Sequence, residues 1–199
     1  MFTGIIQEKG KVVNFSKGIL EISTNLDLSD CKIGSSICCN GVCLTATEIQ
    51  LINNLYQFKT NVGEETMLRT TFSENSFNKI KPINLEKSLK IGDEISGHFV
   101  YGHVDRTTKL LKVSKLNNSW DFFFENFQNK DKNYIVEKAS IAVNGISLTI
   151  ANVTNEYFSI SVIPHTFDNT NLSDLQEYDI VNIEFDYLAR FSERKIIYD

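Results

Sequence analysis

Three histidines, His98, His103 and His165, and four cysteines, Cys31, Cys38, Cys39 and Cys43, are the side chains best suited to acid–base, nucleophilic or metal chemistry in this sequence. Metal chemistry fits poorly. His98 and His103 stand five apart in Gly97-His98-Phe99-Val100-Tyr101-Gly102-His103, which on a strand sends them to opposite faces. The cysteines fall within 13 residues and contain no Cys-x-x-Cys pair to anchor zinc, so no metal site is expected. Adjacent Cys38 and Cys39 would point to opposite faces of a strand, and the second half of the chain holds no cysteine to pair with. They read as reduced thiols of a cytoplasmic protein. Lone histidines are usually structural, and His98 reads as a partner of backbone groups.

The elements that must position these groups are announced by a repeat. Residues 36–49 and 140–153, at an offset of 104, share six identical positions, among them an Asn-Gly pair and the Leu-Thr that follows. Asn-Gly before an alternating apolar run predicts a tight hairpin, because both residues tolerate positive φ. In the strand after the turn Val42, Leu44 and Ala46 share one face, and Cys43, Thr45 and Thr47 the other. Ile146, Leu148 and Ile150 match the apolar set, and Ser147 with Thr149 the polar one. Solvent exposure explains such a pair in one strand; its recurrence in both halves favours a ligand-facing surface.

The two halves differ where chemistry would occur. His103 stands where the first half has Ile5, Ser147 stands opposite Cys43, and Asp186 stands opposite Ser88. The second half therefore gathers His103, Ser147 and Asp186, while the first offers Cys43 and Thr45. A hydrolytic triad is a poor reading, because Ser147 lies on a strand and no nucleophile elbow surrounds it.

Echoes continue at offsets of 98 to 104: Glu156–Ile163 follows Tyr56–Val62, and Val181–Glu184 follows Ile83–Glu86. The first strand is expected over Phe2–Val13 and the second over Ile19–Thr24. A loop follows at Asp27–Lys32, a helical turn at Glu64–Thr70, and a short helix within Asn126–Lys138. Each half is then about six short strands with turn signals every ~8–12 residues, which predicts an all-β chain of two tandem six-stranded antiparallel barrels. The barrels are expected over 1–97 and 98–187, abutting near Asp93–Gly97, with a C-terminal α-helix over 188–199. That helix would show Leu188 and Phe191 on one stripe and pack on another subunit. The chain of 199 residues has 14 Phe and 7 Tyr for two small cores, and a charge of −5 without a basic block, which argues against nucleic acid. No run of 18 apolar residues suggests a membrane span, and Met1–Lys9 lacks the features of a signal peptide.

Met1-Phe2-Thr3-Gly4-Ile5, the paired Asn-Gly-x-[Cys/Ser]-Leu-Thr repeats and Gly97-His98-Phe99-Val100-Tyr101-Gly102-His103-Val104-Asp105 together resemble the riboflavin synthases of the alpha-chain type. The resemblance covers nearly the whole chain. It implies a cytoplasmic homotrimer without a cofactor, an association with lumazine synthase among its partnerships, and dismutation of two 6,7-dimethyl-8-ribityllumazine molecules. The products would be riboflavin and 5-amino-6-ribitylaminouracil. A first pocket would use Gly4, Ile5 and Ile6 with Cys43, Leu44 and Thr45, walled by Asn61, Val62, Gly63, Glu64, Glu65 and Thr66. A second would use Gly102, His103 and Val104, Lys138, Ser147, Leu148 and Thr149, with Ser161, Val162, Ile163, Pro164, His165 and Thr166. His103, Ser147 and Asp186 would serve as base and proton shuttle, and Cys43 would assist nucleophilic addition. Ala139 departs from the family's usual Gly. Lumazine proteins, which bind the same chromophore and catalyse nothing, resemble the chain in fold and form the competing class.

Overall fold

In the computed structural model, which describes residues 1–72, 82–128 and 130–196, the chain folds into two closed six-stranded antiparallel barrels. The first comprises β1 (Glu8–Ser16), β2 (Ile19–Thr24), β3 (Ser36–Cys39), β4 (Val42–Ile52), β5 (Leu55–Asn61) and β6 (Ile83–Lys87), closed in the order β1-β2-β5-β4-β3-β6. The second comprises β7 (Arg106–Lys115), β8 (Trp120–Glu125), β9 (Ser140–Val143), β10 (Ile146–Val153), β11 (Tyr157–Val162) and β12 (Ile180–Phe185) and closes in the equivalent ring. Short helices α1 (Glu64–Arg69) and α2 (Pro164–Asn169) follow β5 and β11, and α3 (Tyr187–Ile196) follows β12.

The local reasons repeat in both halves. Asn40 (φ 46°) with Gly41 (φ 81°), and Asn144 (φ 46°) with Gly145 (φ 79°), make two-residue turns with both positions at positive φ, which suits the twist of the flanking strands. Register shifts at Ala46/Glu48 and Ile150/Asn152 place equivalent bulges in β4 and β10, bending each long strand so that its ring can close. Inward residues fill two cores, one around Leu20, Ile22, Ile37, Phe58, Ile83 and Leu85, the other around Leu110, Phe122, Phe124, Ile141, Phe158 and Ile183.

Four expectations need correction. Strand β1 starts at Glu8 rather than Phe2, because Gly4 at φ 74° breaks the extended run and residues 2–6 leave the first barrel. The helix expected within Asn126–Lys138 is one 3-10 turn, Lys130–Tyr134, with residue 129 outside the described residues. The terminal helix begins at Tyr187, and 197–199 of the expected 188–199 lie outside the described residues. The barrels abut chiefly through their Asn-Gly turns; of the stretch Asp93–Gly97, only Gly97 is tightly packed, against Thr3 and Ser147.

Candidate active site

The two Asn-Gly turns dock back to back. A Cβ on Gly41 would lie 2.8 Å from the Gly145 nitrogen, and one on Gly145 2.7 Å from the Gly41 nitrogen. Around them the halves exchange hydrogen bonds reciprocally. Asn84 Nδ2 donates to the Asn144 carbonyl at 3.0 Å, and Asn182 Nδ2 donates to the Asn40 carbonyl at 2.9 Å. The Thr71 N–H donates to Asn182 Oδ1 at 2.8 Å, and the Asn171 N–H to Asn84 Oδ1 at 2.7 Å. Phe2 and Val100 pair as a two-way backbone bridge over Cys38 and Ala142, closing a small apolar cluster between the barrels. These contacts relate the halves by a local two-fold axis.

That axis crosses the opening segments over. The Ser147 N–H of β10 donates to the Gly4 carbonyl at 2.8 Å, and the Cys43 N–H of β4 donates to the Gly102 carbonyl at 2.8 Å. Ile6 packs on the second core and Val104 on the first. Gly4 and Gly102 are glycine for a steric reason: a Cβ at either would stand 2.6 Å or less from Ser147 or Cys43, at positive φ. The expected grouping of Gly4–Ile6 with Cys43, and of Gly102–Val104 with Ser147, is therefore reversed. The segment Gly102-His103-Val104 lies against the barrel of Cys43, and Gly4-Ile5-Ile6 against that of Ser147.

Each crossing segment is held by a buried carboxylate of its own half. Glu86 accepts from the Thr3 N–H (2.7 Å), the Thr3 hydroxyl (3.0 Å) and the Gly4 N–H (3.0 Å). Glu184 accepts from the N–H groups of Tyr101 (2.7 Å), Gly102 (2.8 Å) and His103 (3.0 Å). Burial raises the pKa of both, and these hydrogen bonds act in the opposite sense.

On the second barrel lies a groove of about 340 Å³, lined by Ser96, Gly97, Ser140, Ser147, Leu148, Thr149, Ser161, Val162, Ile163 and Thr166. His98 Nδ1 lies 2.7 Å from Ser147 Oγ, so His98 is a side-chain partner of Ser147 rather than a structural partner of backbone groups. Burial lowers the His98 pKa, while the Asp186 charge acts against that shift. Neutral imidazole in contact with a hydroxyl can accept its proton. Asp186 also caps α3, accepting the Leu188 N–H at Oδ1 (3.0 Å). His165 and Pro164 are exposed on α2, and Lys138 is exposed on the turn leading into β9.

On the first barrel Cys43 is half-buried beside Gly102, Leu44 is buried and Thr45 is exposed. His103 is exposed, beside the Tyr101 ring at 6.3 Å between centroids. Val62 is buried, Thr66 half-buried, and Asn61, Gly63, Glu64 and Glu65 exposed at the start of α1. Thus His103, Ser147 and Asp186 do not form one group: the Ser147 hydroxyl lies against His98, which feels the Asp186 charge, while the segment that carries His103 is bonded through Gly102 to Cys43. Sequence reasoning gave His98 a structural role and missed Glu86 and Glu184. Glu86 and Glu184 recur at the end of the echo Ile83–Glu86 and Val181–Glu184, and that recurrence of a charge was the available signal; at the offset that pairs Gly4 with Gly102, His98 has no first-half position to be compared with.

A family model for the lumazine binding domain matches the chain twice, over residues 3–88 and 101–186. Riboflavin synthase of Photobacterium phosphoreum is 37% identical, with 100% of this chain and 90% of that protein covered. That of Actinobacillus pleuropneumoniae is 36% identical over 99% and 90%, and that of Bacillus subtilis (strain 168) 34% over 98% and 89%. Among solved structures, LumP complexed with riboflavin superposes with a TM-score of 0.76, and LumP complexed with 6,7-dimethyl-8-(1'-D-ribityl) lumazine with 0.74. Both are 20% identical and cover 93% of this chain and 99% of that one, a likeness of fold. With the duplicated domain spanning most of its length and full-length relatives above a third identical, the chain belongs to the riboflavin synthase family.

Proposed function

We propose that this protein is a riboflavin synthase, converting two molecules of 6,7-dimethyl-8-ribityllumazine into riboflavin and 5-amino-6-ribitylaminouracil. The observation that carries the reading is the pair of equivalent sites with unlike side chains: Cys43 with His103 on one barrel, Ser147 with His98 and Ile5 on the other. The reaction uses the same molecule in two parts. One copy donates a four-carbon unit and the other accepts it, so two bound copies give two products without another reactant. A duplicated domain supplies two related sites, and unlike residues assign the parts.

At the second groove, Leu148, Val162, Ile163 and Ile5 would cover the ring faces, while Thr149, Ser161 and Thr166 satisfy the polar edge and the ribityl hydroxyls. The C7 methyl of the substrate is acidic because its anion delocalises into the ring. Ser147 with His98 would take that proton in one site. His103 would serve the partner site as acid or base, with Cys43 assisting addition there. Asp186 would act through its charge on His98. Holding two lumazines face to face would remove much of the entropic barrier, worth up to ~7–11 kcal/mol for well-oriented reactants. Such a pair would form between the first barrel of one subunit and the second barrel of the next in a homotrimer assembled through α3, whose Leu188 and Phe191 are 74% and 60% exposed.

The test is to mix the purified protein with 6,7-dimethyl-8-ribityllumazine alone and follow both products. Equimolar riboflavin and diaminouracil are expected. Tight binding with fluorescence change but no riboflavin would replace the enzyme reading with that of a carrier.

A further inference from the structure

Two carboxylates in this fold form no salt bridge among the described residues, Glu86 feeling only the more distant charge of the amino terminus, yet they are among its most buried charged groups: Glu86 is 3% exposed and Glu184 5%. Burying a carboxylate without a counter-charge is costly unless its oxygens are fully hydrogen-bonded. Each is satisfied by three donors of one short segment, Thr3–Gly4 for Glu86 and Tyr101–His103 for Glu184. Both sit at the same place in the repeat, on β6 and β12, and pair across to β3 and β9 opposite Cys38 and Ala142, beside the axis between the barrels. The segments they hold are those that cross to the other barrel.

We propose that Glu86 and Glu184 are positioning residues for the reaction: each carboxylate gathers the backbone N–H groups of its own half's glycine segment and thereby sets that segment against the opposite barrel's site. Glu184 places His103 and Gly102 beside Cys43, and Glu86 places Gly4 and Ile5 beside Ser147. Both carboxylates are buried, so each acts through the segment it holds. The arrangement works as a pair of levers, one per site, so the two sites can be disturbed separately.

Glu184→Gln keeps the shape but turns a donor toward one of the three N–H groups, and Glu86→Gln does the same for Thr3–Gly4. With one charge-assisted hydrogen bond lost and the segment loosened, kcat is expected to fall on the order of tenfold or more in each variant, with a smaller change in KM. Part of that readout rests on the riboflavin synthase reading. A second does not: alkylation by iodoacetamide, followed by peptide mass spectrometry for each cysteine. In Glu184→Gln the Gly102 segment no longer presses on Cys43, and Cys43 is expected to react several-fold faster. Cys31 should keep its wild-type rate and Cys38 and Cys39 stay protected. Glu86→Gln should leave Cys43 at its wild-type rate. Glu184→Asp, which keeps the charge but draws it back by one methylene, should fall between wild type and Glu184→Gln in both readouts. An unchanged Cys43 rate in Glu184→Gln overturns the proposal, as does simultaneous exposure of Cys38 and Cys39, which would mark a general structural role. Loss of the proposed activity in the wild type with the labelling pattern intact would sink the enzyme reading and leave the positioning role standing.

Discussion

Ser147 is held at two points that do different work: its N–H is fixed to the Gly4 carbonyl, and its hydroxyl is free to turn toward His98. Ser147→Ala keeps the first and removes the second. Turnover is therefore expected to drop ~10²-fold, in the range of a lost acid–base contribution, while the denaturation midpoint moves little because a single hydrogen bond is worth about 1 kcal/mol. Steady-state rates beside a urea melt check this. His98 makes a separate, pH-dependent prediction. Its folded pKa is depressed by burial, so its contribution to stability is present above the unfolded value near 6.5 and is lost as pH falls below that. Between pH 7.5 and 5.5 the melting temperature should fall more steeply in the wild type than in His98→Asn. A parallel pair of curves would show that His98 titrates alike in both states. The identities of Cys43, His103 and Ser147 were legible as asymmetries between repeats. Their partners were not, because a repeat aligns equivalent positions and says nothing of which half lies against which.

At the scale of elements, the Asn-Gly turns carry two burdens. They close the β3–β4 and β9–β10 hairpins, a local task plain from the dipeptide, and they also form the contact between barrels, which the dipeptide alone does not announce. Gly41→Ala tests both at once: strain at φ 81° costs of order 1–3 kcal/mol, and the new methyl meets the Gly145 backbone. The guanidinium midpoint should fall accordingly, and an unchanged midpoint would mean that the turns separate freely. Helix α3 is fastened to its own barrel by Tyr187, whose ring lies 4.9 Å from that of Tyr101, and by the Arg190–Asp105 ion pair. Its Leu188 and Phe191 face away. If this stripe joins subunits, Leu188→Glu with Phe191→Glu should reduce the solution mass from three times 22.7 kDa to one chain, read by light scattering, with turnover lost alongside.

At the scale of the molecule, the halves are knitted by asparagines whose amides are used on both sides of the axis. Asn84 alone serves the Asn144 carbonyl and both the side chain and the N–H of Asn171. Asn84→Ala would strand three buried groups of the second half, the Asn144 carbonyl and the side-chain oxygen and N–H of Asn171, and is expected to cost about 2–4 kcal/mol, seen as an earlier unfolding transition by calorimetry. A loss below 1 kcal/mol would mean that water replaces the amide.

By itself the sequence determined the duplication, the alternating strands, the hairpins and the two sets of unlike residues, because these follow from spacing along the chain and from local backbone chemistry. Only the tertiary structure decided that the glycine segments cross over, that His103 belongs with Cys43 while His98 belongs with Ser147, and that Glu86 and Glu184 hold the crossing in place. The physical reason is that a closed barrel satisfies its own hydrogen bonds and can pack on its copy in more than one way. The choice lies in the buried contacts between the halves, such as Cys43 with Gly102 and Gly4 with Ser147, 59 and 143 positions apart, and no periodicity records them.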